Sequence, residues 1–138
     1  ETDMKYRIQH IEDSLSKVPG YEPERIQRVK DRLRENLAQY EGKEKIDENR
    51  FEQEIIYFLE KMDITEEKHR LSQNCAYFTE ELEKPEKSKG RKLGFITQEI
   101  GREINTLGAK ANHAAIQKLV ISMKDELEKI KEQVANVL

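Results

Sequence analysis

Apolar residues recur at steps of three and four along nearly the whole chain, a spacing that fits amphipathic helices and leaves no strand-period alternation. Met4, Ile8, Ile11, Leu15 and Val18 make the first stripe, which Pro19-Gly20 ends. Pro23 sits where a helix tolerates proline, in its first turn. Ile26, Val29, Leu33, Leu37 and Tyr40 make a second stripe, closed by Gly42. The two stripes predict a helical hairpin within residues 1–44.

Asp47 is a plausible N-cap for the next helix. Behind it run Phe51, Ile55, Phe58, Leu59 and Met62, then Leu71, Cys75, Phe78 and Leu82. Asp63 to Arg70 interrupt this stripe with polar residues, none of which breaks a helix, so one long helix is expected over 48–83. A buried stripe that turns polar for two turns either leaves the core or lines a site. Residues 84–90 form a polar loop. A further helix carries Leu93, Ile96, Ile100, Ile104 and Leu107 and is expected to end near Gly108. The last carries Ile116, Val120, Met123, Leu127, Ile130, Val134 and Val137, alternating four and three in a coiled-coil-like way. The expected fold is all-α, an extended bundle of about five helices in which one long central helix crosses between two hairpins. Its expected units are an N-terminal hairpin over 1–44 and a helical domain over 45–138.

Composition sharpens this. Hydrophobic residues make up 36% of the chain and charged residues 38%, and Trp is absent. High charge with few aromatics fits long exposed helices or disorder, and the periodicity selects helices. The net charge of −3 does not advertise nucleic-acid binding, but its distribution is uneven. Residues 1–84 carry a net −6, residues 85–112 a net +3, and residues 113–138 balance. Any anion-binding surface is therefore local. Cys75 is alone, which rules out an internal disulfide and a CxxC metal knuckle and suits a reducing compartment. No apolar run approaches the ~20 residues of a membrane helix, and no leader pattern opens the sequence. The expectation is a cytoplasmic protein without a membrane partner. The start at Glu1-Thr2-Asp3, within a helical pattern, suggests a piece of a longer protein.

Three constellations could carry chemistry. Glu99 and Glu103 are four apart and project from one helix face, flanked by Arg102 and Asn105; Asp63, Glu66 and Glu67 form a second acidic group. If the two helices pack together, three or four carboxylates converge, and Mg²⁺ or Mn²⁺ takes such oxygen ligands. The plainer alternative is solvated carboxylates paired with Lys or Arg. Lys87, Lys89, Arg91 and Lys92, extended by Arg102 and Lys110, form a basic cluster suited to phosphate; a solubilising loop is the alternative. Phe95 is expected in the core rather than as a base-stacking platform. His69 and His113 could act as acid or base, although each alone is more often a surface or satisfied histidine. Cys75, on an apolar stripe, reads as packing.

Two stretches carry more than periodicity: Lys61-Met-Asp-Ile-Thr-Glu-Glu-Lys-His-Arg-Leu71, and the gapless run Gly90-Arg-Lys-Leu-Gly-Phe-Ile-Thr-Gln-Glu-Ile-Gly-Arg-Glu-Ile-Asn-Thr-Leu-Gly-Ala-Lys-Ala-Asn112, continuing into Met123–Val134. Together they resemble the C-terminal region of the bacterial YicC-like endoribonuclease family, strongly over about residues 45–138. The resemblance implies a cytoplasmic protein that cleaves single-stranded RNA with a divalent metal, Mn²⁺ or Mg²⁺. It also implies a homo-oligomer and a further N-terminal domain of the same protein. Its pattern points to Asp63, Glu66, Glu67, Arg70, Arg91, Lys92, Gln98, Glu99, Arg102, Glu103, Asn105, Lys110 and Asn112. In that reading Asp63, Glu66, Glu67, Glu99 and Glu103 hold the metal, with Glu66, Glu99 and Glu103 catalytic. Arg70, Arg91, Lys92, Arg102, Asn105, Lys110 and Asn112 bind RNA. The sequence departs from the family where a Ser-His pair is usual and Gln73-Asn74 stand, at Gly101 in place of Asn, and at Ala109 in place of Ser. The isolated piece is expected to be inactive alone. The competing reading is a non-catalytic helical module for oligomerisation or RNA binding, and a third is an adaptor for protein partners.

Overall fold

The computed structural model describes residues 2–41, 48–85 and 89–137, and the described residues are helices joined by short turns, with no strand. The Asp47 cap and Lys87 lie outside the described residues, as do the side chains of Tyr40 and Val137. The elements are α1 (Thr2–Lys17), a 3-10 turn (Val18–Tyr21), α2 (Glu22–Glu41), α3 (Glu48–Met62), α4 (Thr65–Glu83), α5 (Gly90–Ala111) and α6 (Ala114–Val137).

Four of these helices make the body. α5 packs against α4 and α6, and α1 closes the bundle against α6 and α4. The expected stripes are what they bury: Met4, Ile8, Ile11, Leu15 and Val18 from the α1 end, Leu71, Cys75, Phe78 and Leu82 from α4, and all five predicted positions of α5. Ile116, Val120, Met123, Leu127, Ile130 and Val134 complete one continuous core from α6. At ~25 cal/mol per Å² this apolar burial is the main source of stability.

Two expectations about connectivity need correcting. α1 and α2 do not form a hairpin. The 3-10 turn at Pro19-Gly20 sends α2 away from the body, and it pairs instead with α3 as a separate arm. Nor is 48–83 one helix. It breaks between Met62 and Thr65, where Asp63 Oδ1 accepts both the Thr65 backbone N–H at 3.0 Å and its hydroxyl at 2.6 Å. This side-chain turn offers the backbone an alternative to the helical ladder, and Ile64 (φ −115°) is fully buried beneath it. An Asp-x-Thr sequence with an apolar centre is thus the break that the polar run concealed.

The remaining turns are also local chemistry. Lys84 is extended, as a residue before proline prefers, and the Lys89 ammonium donates to the carbonyls of Leu82 and Lys84 at the end of α4. α5 runs three residues past Gly108. A Cβ there would lie 3.0 Å from Val120 Cγ1, so this glycine serves close approach of α5 to α6 rather than termination. Asn112 makes the turn instead, in the left-handed region (φ 37°) that asparagine tolerates. His113 Nδ1 then accepts the Ile116 N–H at 3.4 Å and starts α6.

Candidate functional site

α4 and α5 pack side by side, and the first turns of α4 therefore face the second half of α5. On α4, Arg70 lies one turn beyond the adjacent Glu66 and Glu67; on α5, Glu99 and Glu103 are one turn apart and Lys110 lies two turns further. Glu103 is the centre. Its side chain is only 6% exposed, and the Arg70 guanidinium lies 3.9 Å from its Oε1. Burial pushes its carboxyl above the usual range; Arg70 opposes this, while Glu67, Glu99 and Glu66 add to it. The carboxylates of Glu67, Glu99 and Glu66 thus lie close enough to Glu103 to help raise its carboxyl.

Several members also have structural partners. Arg70 pairs with Glu66 on its own helix. Glu67, whose side chain is 4% exposed, takes the Lys110 ammonium at 3.0 and 3.2 Å. Lys110 additionally reaches the Asp63 carbonyl at 3.5 Å. Asp63 itself stands apart as the cap at the α3–α4 break. Its carboxyl is held below the ordinary range, chiefly by the hydrogen bonds from Thr65.

The other predicted residues divide cleanly. Arg91, Lys92, Gln98, Arg102 and Asn105 are exposed along α5. Asn112 is the left-handed residue that turns the chain into α6. Asn74 is half-buried, one turn beyond Arg70 on α4. At Gly101 a Cβ would meet Leu127 of α6 at 3.2 Å, away from the carboxylates. Cys75 is fully buried and its thiol is pushed up to about 12, chiefly by burial, in keeping with a packing role.

Three residues behave in ways the sequence did not announce. Arg25 of α2 is buried and donates to the carbonyls of Lys110 (3.1 Å) and Ala111 (3.4 Å), tying the arm to the end of α5. His113 is a buried cap. Phe95, expected in the core, is 66% exposed. The stripe itself carried the signal: with Leu93, Ile96 and Ile100 inward, a residue at 95 points away on a 3.6-residue helix.

Residues 18–138 match the family described as Endoribonuclease YicC-like, C-terminal. The chain belongs to the YicC-like endoribonuclease family. Among its relatives, a probable endoribonuclease YicC from Clostridioides difficile is 32% identical over 136 residues, 98% of this chain and 46% of that protein. One of the same name from Haemophilus influenzae is 33% identical over 135 residues, covering 97% and 46%. The chain therefore spans about half the length of these YicC relatives.

The donor chemistry of the acidic group suits a hard divalent ion. Its arrangement does not. Among the described residues no three acidic, histidine or cysteine side chains are grouped so as to hold a metal, and Arg70 and Lys110 pair with Glu66 and Glu67. No helix among them is long and apolar enough to cross a membrane.

Proposed function

We propose that this chain is the helical part of an endoribonuclease that cleaves single-stranded RNA, with Glu103 as the proton-transfer group and the exposed α5 cations holding the backbone. The observation that carries the reading is the buried Glu103 carboxyl, set beside Arg70 and raised by its surroundings. Breaking a phosphodiester requires deprotonation of an attacking oxygen, protonation of the departing one, and neutralisation of charge on the phosphoryl oxygens. A carboxyl raised toward neutrality can exchange the proton. Arg70 is half exposed and able to turn from Glu66 to a phosphate, and Arg91, Lys92 and Arg102 place the strand. Membership of a family whose relatives are named probable endoribonucleases supports the same chemistry.

Dependence on Mn²⁺ or Mg²⁺ is proposed on the oxygen donors of Glu66, Glu67, Glu99 and Glu103 alone. It requires Arg70 and Lys110 to leave them, and the acid–base role of Glu103 does not depend on it. The proposal further includes a homo-oligomer in the cytoplasm and a partner domain equivalent to the relatives' other half.

The test is a labelled single-stranded RNA incubated with the chain alone and with a form that supplies that other half, in Mn²⁺, Mg²⁺ or chelator. Cleavage by the longer form that Glu103→Gln abolishes, with helicity retained, supports the reading. Full cleavage by that variant sinks it. The second reading, a non-catalytic scaffold, is favoured by the cation already seated on each buried carboxylate. RNA binding without cleavage under every condition would establish it.

A further inference from the structure

The exposure of Phe95 has no structural purpose within the body. It is the most exposed large apolar side chain among the described residues, at 66%. Tyr6, nearly as exposed, packs edge-on to His10 at 4.4 Å, and Tyr57 carries the Lys61 ammonium 4.4 Å above its ring. A 3.6-residue repeat stacks Arg91, Phe95, Gln98, Arg102 and Asn105 on one face of α5, and all five are exposed. The next row toward α4 holds Lys92, Glu99, Glu103 and Lys110. Phe95 is thus an open aromatic ring bracketed by cations, about 12 Å along the helix axis from Glu103 at ~1.5 Å per residue.

We propose that Phe95 is a stacking platform for an unpaired RNA base. This rests on the RNA reading above and adds to it what makes the bound strand single-stranded. Cations alone fix a phosphate backbone without distinguishing paired from unpaired strands, whereas an aromatic face within a strand's path stacks on bases freed from their duplex partners. The charge of the surrounding face selects a polyanion over an apolar protein surface: Arg91, Lys92, Arg102 and Lys110 outnumber Glu99 and Glu103 there. A base on Phe95, with its backbone held by Arg91 and Arg102, directs the strand along α5 toward Glu103, a few nucleotides away.

The chain has no tryptophan, so Phe95→Trp introduces a single fluorophore at the platform. The probes are oligo(U) and oligo(A) 12-mers, with inorganic polyphosphate of equal charge as a base-free control. RNA should quench the emission of the introduced indole and polyphosphate should not. Phe95→Ala should weaken 12-mer binding about tenfold, the usual scale for one lost base stack, and leave the salt slope unchanged because no phosphate contact is removed. Phe95→Leu should behave like Phe95→Ala.

Equal quenching by polyphosphate overturns the platform, as does full binding by either the Ala or the Leu variant. A change in self-association with RNA affinity intact would identify the ring as a contact between copies, and also overturns it. Failure of both the wild-type chain and the longer form to bind any RNA overturns the RNA reading itself, and the platform falls with it. The two failures are distinguishable from the wild-type titrations alone.

Discussion

The four-helix body and the α2–α3 arm are built from the same kind of stripe, yet they bury it to different depths. In the body, Leu71, Phe78, Ile100 and Ile104 are fully enclosed. In the arm, Val29, Leu33, Ile55, Phe58 and Leu59 remain half-buried, and Phe51 alone is enclosed among its described apolar residues. Periodicity shows that a face is apolar; it does not count how many neighbours will cover it. α5 has α4 on one side and α6 on the other, while each arm helix has little beyond its mate. The arm is therefore the part whose opening should cost least free energy.

The largest effects should separate the two regions. Phe78→Ala empties a fully enclosed site, and about 3–5 kcal/mol of stability should be lost. Ile55→Ala removes side-chain area that is already partly wet, and about 1 kcal/mol or less should go. Urea unfolding followed by circular dichroism reads both. Equal losses would erase the distinction and make the arm part of one cooperative core. Next comes the seam. Arg25→Ala removes charged hydrogen bonds to the Lys110 and Ala111 carbonyls, worth about 2 kcal/mol. Hydrogen exchange should accelerate in α2 and α3 before α5 is affected; uniform acceleration would show that Arg25 is not what joins arm to body.

A finer test lies within the body. Replacing a helical glycine by alanine gains about 1 kcal/mol where space allows. Gly94 has it, since a Cβ would sit 3.9 Å from Val134. Gly108 does not, because Val120 is 3.0 Å away and stiff at its branched carbon. Gly94→Ala should raise the thermal midpoint, and Gly108→Ala should lower stability by about 1 kcal/mol net. The same sign at both sites would mean that α5 and α6 are less closely seated than they stand here.

These contrasts also mark which features were legible in the sequence. The body's stripes named their own buried residues, because enclosure on several sides leaves little choice of face. The pairing of acidic groups was legible too, since both lie on stripes whose inward faces meet. The α3–α4 break was not: Asp63 caps through Thr65, and helix propensity registers neither this local bond nor the burial of Ile64. Arg25 was hidden for a different reason. Its partners are backbone carbonyls 85 and 86 residues away, and no side-chain pattern reports those. The pairing of Arg70 with Glu66 and of Lys110 with Glu67 was hidden too, because a sequence shows charge but not which opposite charge is nearer.

The smallest expected effect bears on the site. Glu103 has a carboxyl raised by burial and by neighbouring carboxylates, so between its unfolded value, near 4.5, and its higher folded value the native state holds more protons than the unfolded one. Stability must therefore fall as pH rises through that window. Glu103→Gln removes the ionisation. It should flatten this part of the pH–stability curve and leave the variant no less stable than wild type at neutral pH, even as cleavage is lost. An unchanged slope would place the raised carboxyl elsewhere. A variant that loses stability at neutral pH would mean that the Arg70 pairing outweighs burial, and that Glu103 is a structural anchor rather than a group kept under strain for chemistry.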